Sequence, residues 1–355
     1  MMITMQSAVP NSSKLAVLMP VFNGGEQLLR SLQSCAGGGL SGFQYEIIIV
    51  DNCSTDGAVQ NVPVRDANGA AIQTHYNSRN LGRVGNWNRC VEIALEQGFQ
   101  YITFLFVGDC WLPNGSLPEL FRLVRERDAA IGLSPFTIAG ENGKPKRSSQ
   151  RFYVSNGRAA ITSPHDFLST LLESGLFPLG PLQANIYRIG HDHTLCFDET
   201  LPTRTDVMST LDFIQNATGS VAIVSEPFFQ LREHSGRFHA SMGVRQTIHD
   251  YLDTFHAACD ITGISVDYGR AKARVMLNSA RLILHDAPYA QWGSLAVELL
   301  RQSRRSPYKA GMYYVLETLW LRFALRRRLL EFSAHTTLPQ QTSQAHSACA
   351  EFLKS

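Results

Sequence analysis

Residues 101–113, YITFLFVGDCWLP, decide the fold. The first seven, Tyr101 to Val107, are β-prone and almost wholly apolar, which predicts a fully buried strand in a parallel sheet. The run stops at Gly108 and a single carboxylate, Asp109, after which Cys110, Trp111, Leu112 and Pro113 turn away. A charge at the carboxyl end of a buried strand stands where open α/β sheets bind ligands. By itself, an Asp after a Gly reads better as a turn acid capping the next segment. The neighbouring stretches have to decide.

They point the same way. Residues 15–19 form a short apolar strand that breaks at Pro20, and residues 45–50, YEIIIV, form a second buried strand ending on Asp51, Asn52, Ser54, Asp56 and Gly57. Residues 72–76 read as a weaker third strand. Helical patterns fill the gaps at 26–36 and 84–96, the latter with Val84, Trp87, Val91 and Leu95 on one face. A further helix spans 116–127, with Ser116 at its N-cap and Glu119 completing a capping box. Strands alternating with helices imply βαβ units, right-handed crossovers and a mainly parallel sheet. The polar turns Phe22-Asn23, Asp51-Asn52 and Gly108-Asp109 then line one sheet edge and make a pocket. No G-x-G-x-x-G or G-x-x-x-x-G-K-[ST] follows any strand, which argues against a dinucleotide site or a P-loop.

Composition narrows the class. The 355 residues are 44% hydrophobic and 17% charged with a net charge of +2, enough for a large domain and a smaller one, with no nucleic acid as partner. The seven cysteines are scattered without C-x-x-C spacing, so reduced thiols and a cytoplasmic location are expected rather than disulfides or structural zinc. Neither a signal-peptide core nor the ~20 uninterrupted apolar residues of a transmembrane helix is found.

The motifs PVFNGG (20–25), IIIVDNCSTDG (47–57), NLGRVGNWN (80–88) and FLFVGDCWLP (104–113) resemble, in order and spacing, the successive signatures of family 2 glycosyltransferases of the GT-A fold. The resemblance runs to about residue 240. It implies a catalytic domain over 1–240 that binds a nucleoside diphosphate sugar, UDP or dTDP in the first instance. Phe22, Asn23, Asp51, Asn80, Arg83 and Gly108 would surround the donor. An aromatic face, a carboxylate and a guanidinium suit a base, a ribose and a diphosphate respectively. The plain alternatives are a core Phe22, Asx-turn roles for Asp51 and Asp56, and an Arg83 on a solvated helix face.

The family's Asp-x-Asp signature is reduced here to Val107-Gly108-Asp109-Cys110. The resemblance makes Asp109 the ligand of a divalent metal, Mg²⁺ or Mn²⁺, on the diphosphate; with one carboxylate, affinity without nucleotide should be poor. Cys110 has no partner at usable spacing to make it a nucleophile. Farther on, residues 129–135 continue the sheet, 140–150 form a polar loop, 164–172 a helix capped by Ser163, and 182–189 a strand beside a possible acceptor site. The stretch 196–213, CFDETLPTRTDVMSTLDF, resembles the segment whose second acid at a helix start is the catalytic base. That position holds Asp206, behind Thr205 where the family has another acid. An acceptor hydroxyl must lose a proton as it attacks, so a carboxylate is needed; the competing reading is an acid favoured in any first helical turn. After an apolar stretch at 220–230, Arg232-Glu233-His234 resembles an Arg-x-His whose His reaches the metal or diphosphate, which puts Arg232 at the donor and His234 on the metal.

From about residue 247 the pattern is helical, so the smaller region is placed at 241–355. Residues 301–332 combine aromatics with arginines and could lie on an anionic membrane face, the inner one, or pack on the catalytic domain or a second subunit as in a homo-oligomer; packing is the preferred reading. The sum is an inverting, metal-dependent glycosyltransferase acting on a glycan or lipid-linked acceptor. The alternative is a nucleotide-sugar-binding scaffold subunit that has lost catalysis, suggested by Val107, Cys110 and Thr205.

Overall fold

The computed structural model describes residues 13–278 except 39, 41, 141–144, 150–158, 176–178, 180, 202–203, 233–243, 273 and 277. The chain divides into two compact units, Met1–Tyr289 and Ala290–Ser355. The second lies outside the described residues, as do His234 and the 301–332 helix.

The first strands are β1 (Leu15–Val21), β2 (Tyr45–Asp51), β3 (Ile72–Tyr76) and β4 (Tyr101–Phe104). They are parallel, in the spatial order β3-β2-β1-β4. Three further strands extend this sheet: β6 (Ala129–Leu133), β10 (Asn185–Arg188) and β11 (Ser220–Val224). The eighth is the edge strand β9 (Ala159–Thr162). Strands β9 and β10 run against the other six. Helices α1 (Gly25–Gly37), α2 (Gly82–Glu96) and α3 (Leu117–Glu126) are the crossovers. Every residue of β1 but Pro20 is buried, as are Ile47 to Val50 of β2. Each such aliphatic side chain contributes roughly 1.5–3 kcal/mol by leaving water, which is why the uninterrupted apolar runs become central strands.

A second sheet, not foreseen from sequence, joins β5 (Cys110–Trp111), β12 (Phe229–Arg232), β7 (Phe136–Ala139) and β8 (Pro145–Ser149). It corrects four expectations. The strand at 101–107 ends at Phe104, because Gly108 takes a left-handed φ of +93° and folds the chain toward β5. The apolar stretch at 220–230 splits at Pro227 into β11 and β12, one strand for each sheet. Part of the 140–150 loop is β8, an edge strand whose Pro145 sits at its first position, where a missing N–H is tolerated. Residues 182–184 are a 3₁₀ turn leading into β10 rather than the start of a strand.

Two local signals also came out differently. Pro20 does not break β1 but stays in register opposite Val50. Ser116 makes no capping box; its hydroxyl donates to Glu226 O at 2.6 Å and ties α3 to the β11–β12 connection. Ser163 does cap α4 (Pro164–Ser174), accepting from Asp166 N at 3.0 Å. Helices α5 (Thr205–Gln215) and α6 (Val244–Thr262) complete the described unit. Among the described residues no helix is long and apolar enough to cross a membrane.

Where α3 covers β6, Gly132 leaves no room for a side chain: a Cβ would stand 2.7 Å from Val124 Cγ2 and 2.8 Å from Leu120 Cδ1. Gly132→Ala is expected to destabilise the unit by about 1–3 kcal/mol through overpacking. A denaturant midpoint equal to wild type would contradict this packing.

Candidate active site

The carboxyl ends of β1, β2 and β4 lie at one edge of the sheet because the three strands are parallel neighbours. The turns leaving β1 and β2 are stitched together. Asn23 N donates to Ser54 Oγ at 2.8 Å, Thr55 N donates to Asn23 Oδ1 at 2.8 Å, and Gly25 N donates to Asp56 Oδ2 at 2.7 Å. Asn23 adopts φ +52°, a left-handed conformation that Asn tolerates because its side chain bonds locally. Asp51 is 6% exposed and both its oxygens accept from Ser54 N, at 3.2 and 3.3 Å, so the Asx-turn role is real. Phe22 is not core; its ring is 54% exposed at the sheet edge.

A buried asparagine organises the next turn. Asn52 Nδ2 donates to Asn80 Oδ1 and Gly82 O, while its Oδ1 accepts from Leu81 N and Asn77 Nδ2, at 2.8–3.1 Å. Asn77 also donates to Asn86 Oδ1, and Asn86 donates to Val50 O. Asn80, expected at the donor, thus has its side-chain oxygen engaged by Asn52 and by Gly82 N. Its work in this structure is to shape the start of α2. That start presents Arg83, whose guanidinium lies 5.1 Å from the Trp87 ring centroid, and Trp87 in turn stacks on Phe106 at 5.2 Å.

The third turn is fixed by α1. Gly108 N donates to Ser31 Oγ at 3.0 Å, and Ser31 Oγ donates to Asp109 O at 2.8 Å. The Asp109 carboxylate is 2% exposed. One oxygen accepts from Gln183 Nε2 at 2.7 Å and the other from Arg232 N at 2.9 Å. Gln183, which sequence reasoning passed over, comes from 74 residues away and carried no motif; only the fold reveals it. Burial pushes the Cys110 thiol pKa up, so this cysteine is no ready nucleophile.

Whether this set suits a divalent cation can be tested on its donors. The Asp109 carboxylate supplies oxygens of the kind hard cations take. Oε1 of Gln183 is buried and finds no hydrogen-bond partner among the described residues, an amide oxygen that such cations also take. The two fit Mg²⁺ or Mn²⁺, but thinly: among the described residues no group of three or more His, Cys, Asp or Glu could hold a metal.

Asp206 stands in the first turn of α5. Its neighbours are pinned. Thr205 is 1% exposed and donates through Oγ1 to Asp198 O at 3.0 Å. Arg204 takes φ +54°, which costs a non-glycine residue about 1–2 kcal/mol. The Asp206 carboxylate itself is half-buried and accepts no hydrogen bond among the described residues. The preceding Phe197–Glu199 turn is held on α2 by Asn88, which accepts from Phe197 N at 2.8 Å and donates to Phe197 O at 2.9 Å. Phe22, Asn23, Asp51 and Asn80 are therefore joined through one network of turns, and Asp109 is joined to Arg232 through backbone. Asp206 is secured separately.

A mixed sheet built on parallel βαβ units, with polar turns at its carboxyl edge and a small second sheet alongside, defines the GT-A class of sugar-transferring folds. Residues 16–179 match the profile of Glycosyl transferase family 2. The chain is 24% identical over 247 residues to poly(ribitol-phosphate) β-N-acetylglucosaminyltransferase TarP of Staphylococcus aureus strain N315, covering 68% of this chain and 70% of TarP. It is 23% identical over 233 residues to TarS of S. aureus strain Mu50, covering 64% of this chain but only 37% of that protein. The crystal structure of S. aureus TarS 1–349 in complex with UDP-GlcNAc superposes with a TM-score of 0.54 at 18% identity, over 83% of this chain and 82% of that one.

Two outcomes follow from the stitched turns. Asn52→Ala removes a buried amide and its four part-buried hydrogen bonds and is expected to cost about 1–3 kcal/mol, read by chemical denaturation. The N–H groups of Gly25 and Ala58 hold the Asp56 carboxyl below its usual pKa. A depressed folded pKa gives stability that is present above the unfolded value and lost as pH falls through the folded one. Acid unfolding of Asp56→Asn should therefore be less steep below about pH 4 than that of wild type; identical acid limbs would refute the contact.

Proposed function

We propose that this chain transfers a sugar from a nucleoside diphosphate sugar, UDP-linked in the first instance, to a hydroxyl of a cell-envelope glycan or lipid-linked acceptor, with inversion. The observation that carries the reading is the Asp206 carboxylate, which accepts no hydrogen bond among the described residues and directly follows two pinned residues, Arg204 and Thr205. A base must keep its lone pairs for the proton it takes. In this reading Asp206 accepts the acceptor hydroxyl's proton as the oxygen attacks the anomeric carbon, and the nucleoside diphosphate leaves from the opposite face in one step.

The donor would lie across the sheet edge. Phe22 offers an exposed face to the base, Asp51 keeps lone pairs for base or ribose donors, and the Arg83 guanidinium, oriented over Trp87, faces anionic oxygens. Asp109 and the Gln183 amide oxygen, with His234, would hold Mg²⁺ or Mn²⁺, which supplies charge stabilisation to a leaving diphosphate. The Asp109 carboxylate also fixes the backbone of Arg232, and so the direction in which that side chain meets the donor. The relatives' poly(ribitol-phosphate) acceptors make a polyol-phosphate or similar envelope polymer the first acceptor to try. We place the reaction on the cytoplasmic side.

The scaffold reading draws only on the missing acids at Val107, Cys110 and Thr205. Thermal-shift measurements against UDP, dTDP, GDP and CDP sugars, with Mn²⁺ or with EDTA, should show stabilisation by one nucleotide class. With that donor, Asp206→Asn is expected to lower turnover ~10²–10⁴-fold while leaving the melting temperature close to wild type. Wild-type turnover in this variant would overturn the assignment of the base. A protein that binds donor yet neither transfers nor hydrolyses it would favour the scaffold.

A further inference from the structure

Helix α6 reaches Arg204, two residues before the proposed base. The Arg204 guanidinium is ion-paired through Nε with Asp250 and lies 3.7 Å from the ring centroid of Tyr251, both on α6. The pair is well covered, with 12% of the Arg204 side chain and 11% of that of Asp250 exposed. Arg204 is also the residue forced into the left-handed region, at φ +54° and ψ +19°, and its carbonyl accepts the first helical hydrogen bond, from Met208 N at 2.9 Å. An arginine is a poor choice for a left-handed position, where glycine costs nothing. Its side chain must therefore offset the strain of its backbone.

We propose that Arg204, Asp250 and Tyr251 form a clamp through which α6 positions the carboxylate of Asp206. The inference rests on the base role proposed above. The clamp acts two residues before Asp206 and the Thr205–Asp198 hydrogen bond one residue before it, and among the described residues the acid makes no hydrogen bond through its side chain. An ion pair and a ring face fix the guanidinium in two directions, which a single contact would not. Arg204, Asp250 and Tyr251 are positioning residues; none needs to touch substrate. The clamp also gives the region after residue 240 a part in catalysis.

The test uses the full-length chain, the donor selected by thermal shift, and turnover read as nucleoside diphosphate release. Arg204→Gly keeps a residue at ease at positive φ and removes only the clamp. It is expected to lower kcat ~10-fold or more with the donor KM unchanged, because misplacement of a reacting group costs rate rather than binding. Asp250→Ala and Tyr251→Leu should do the same, and they stand in if Arg204→Gly does not fold. Arg122→Ala, which removes a surface ion pair on α3, should leave kcat unchanged. In an Asp206→Asn background the clamp variants should have no further effect on residual turnover. A wild-type kcat in any folded clamp variant overturns the proposal, as does an equal fall in the Asp206→Asn background, which would mark a general structural loss. Should Asp206→Asn alone turn over like wild type, it is the base assignment that has failed, and the clamp falls with it.

Discussion

A carboxylate taken out of water must be given hydrogen bonds, and at Asp109 that requirement ties three parts of the chain together. Its two oxygens are met by the amide of Gln183, ahead of β10, and by the backbone N–H of Arg232 in β12. Its own carbonyl is met by Ser31 of α1. Removing one partner from such a set leaves a buried group unsatisfied, at a cost of several kcal/mol. The large sheet, the small sheet and the first helix thus meet at one side chain, and the geometry of the sheet edge follows from that meeting.

The same economy governs the other turns. Asn52 spends its whole hydrogen-bonding capacity on the loop that starts α2, so Arg83 and Trp87 project from a start whose backbone is fixed. Asp56 and Asn23 bind the first two strand ends to each other through backbone N–H groups. Polar residues at this edge are therefore consumed in two ways. Some, such as Asn52, Asn23 and Asp56, hold the loops, and Arg83, with the apolar Phe22, stands exposed on loops already held. Asp51 belongs to both groups, since an Asx turn uses only part of its acceptor capacity.

The central sheet was readable because fully buried parallel strands write themselves as unbroken apolar runs, and β1, β2 and β4 do so. The turns were readable because each followed such a run. What escaped was non-local. Strands β5 and β12 are too short to carry a period, and they exist because Gly108 and Pro227 redirect the chain toward each other. Gln183 escaped for a related reason: its amide matters only because of what lies opposite, and nothing in its own neighbourhood announces a carboxylate. Ser116 misled because Ser followed by Glu at the third position spells a cap, whereas a free carbonyl at Glu226 competed for its hydroxyl and won.

The start of α5, where Asp206 stands, carries more structure than helix capping requires. An acid in a first helical turn is favoured by the helix dipole alone, and that explanation needs nothing else of its surroundings. It does not account for an arginine held at positive φ two residues earlier, nor for a buried threonine one residue earlier that reaches across to Asp198. Chains relax such strain unless something opposes it, and here the opposition comes from Asp250 and Tyr251 on a separate helix. Capping demands no such arrangement. A carboxylate that must meet a hydroxyl within hydrogen-bond reach does demand it, because loosening the helix start by an ångström would put the proton out of reach.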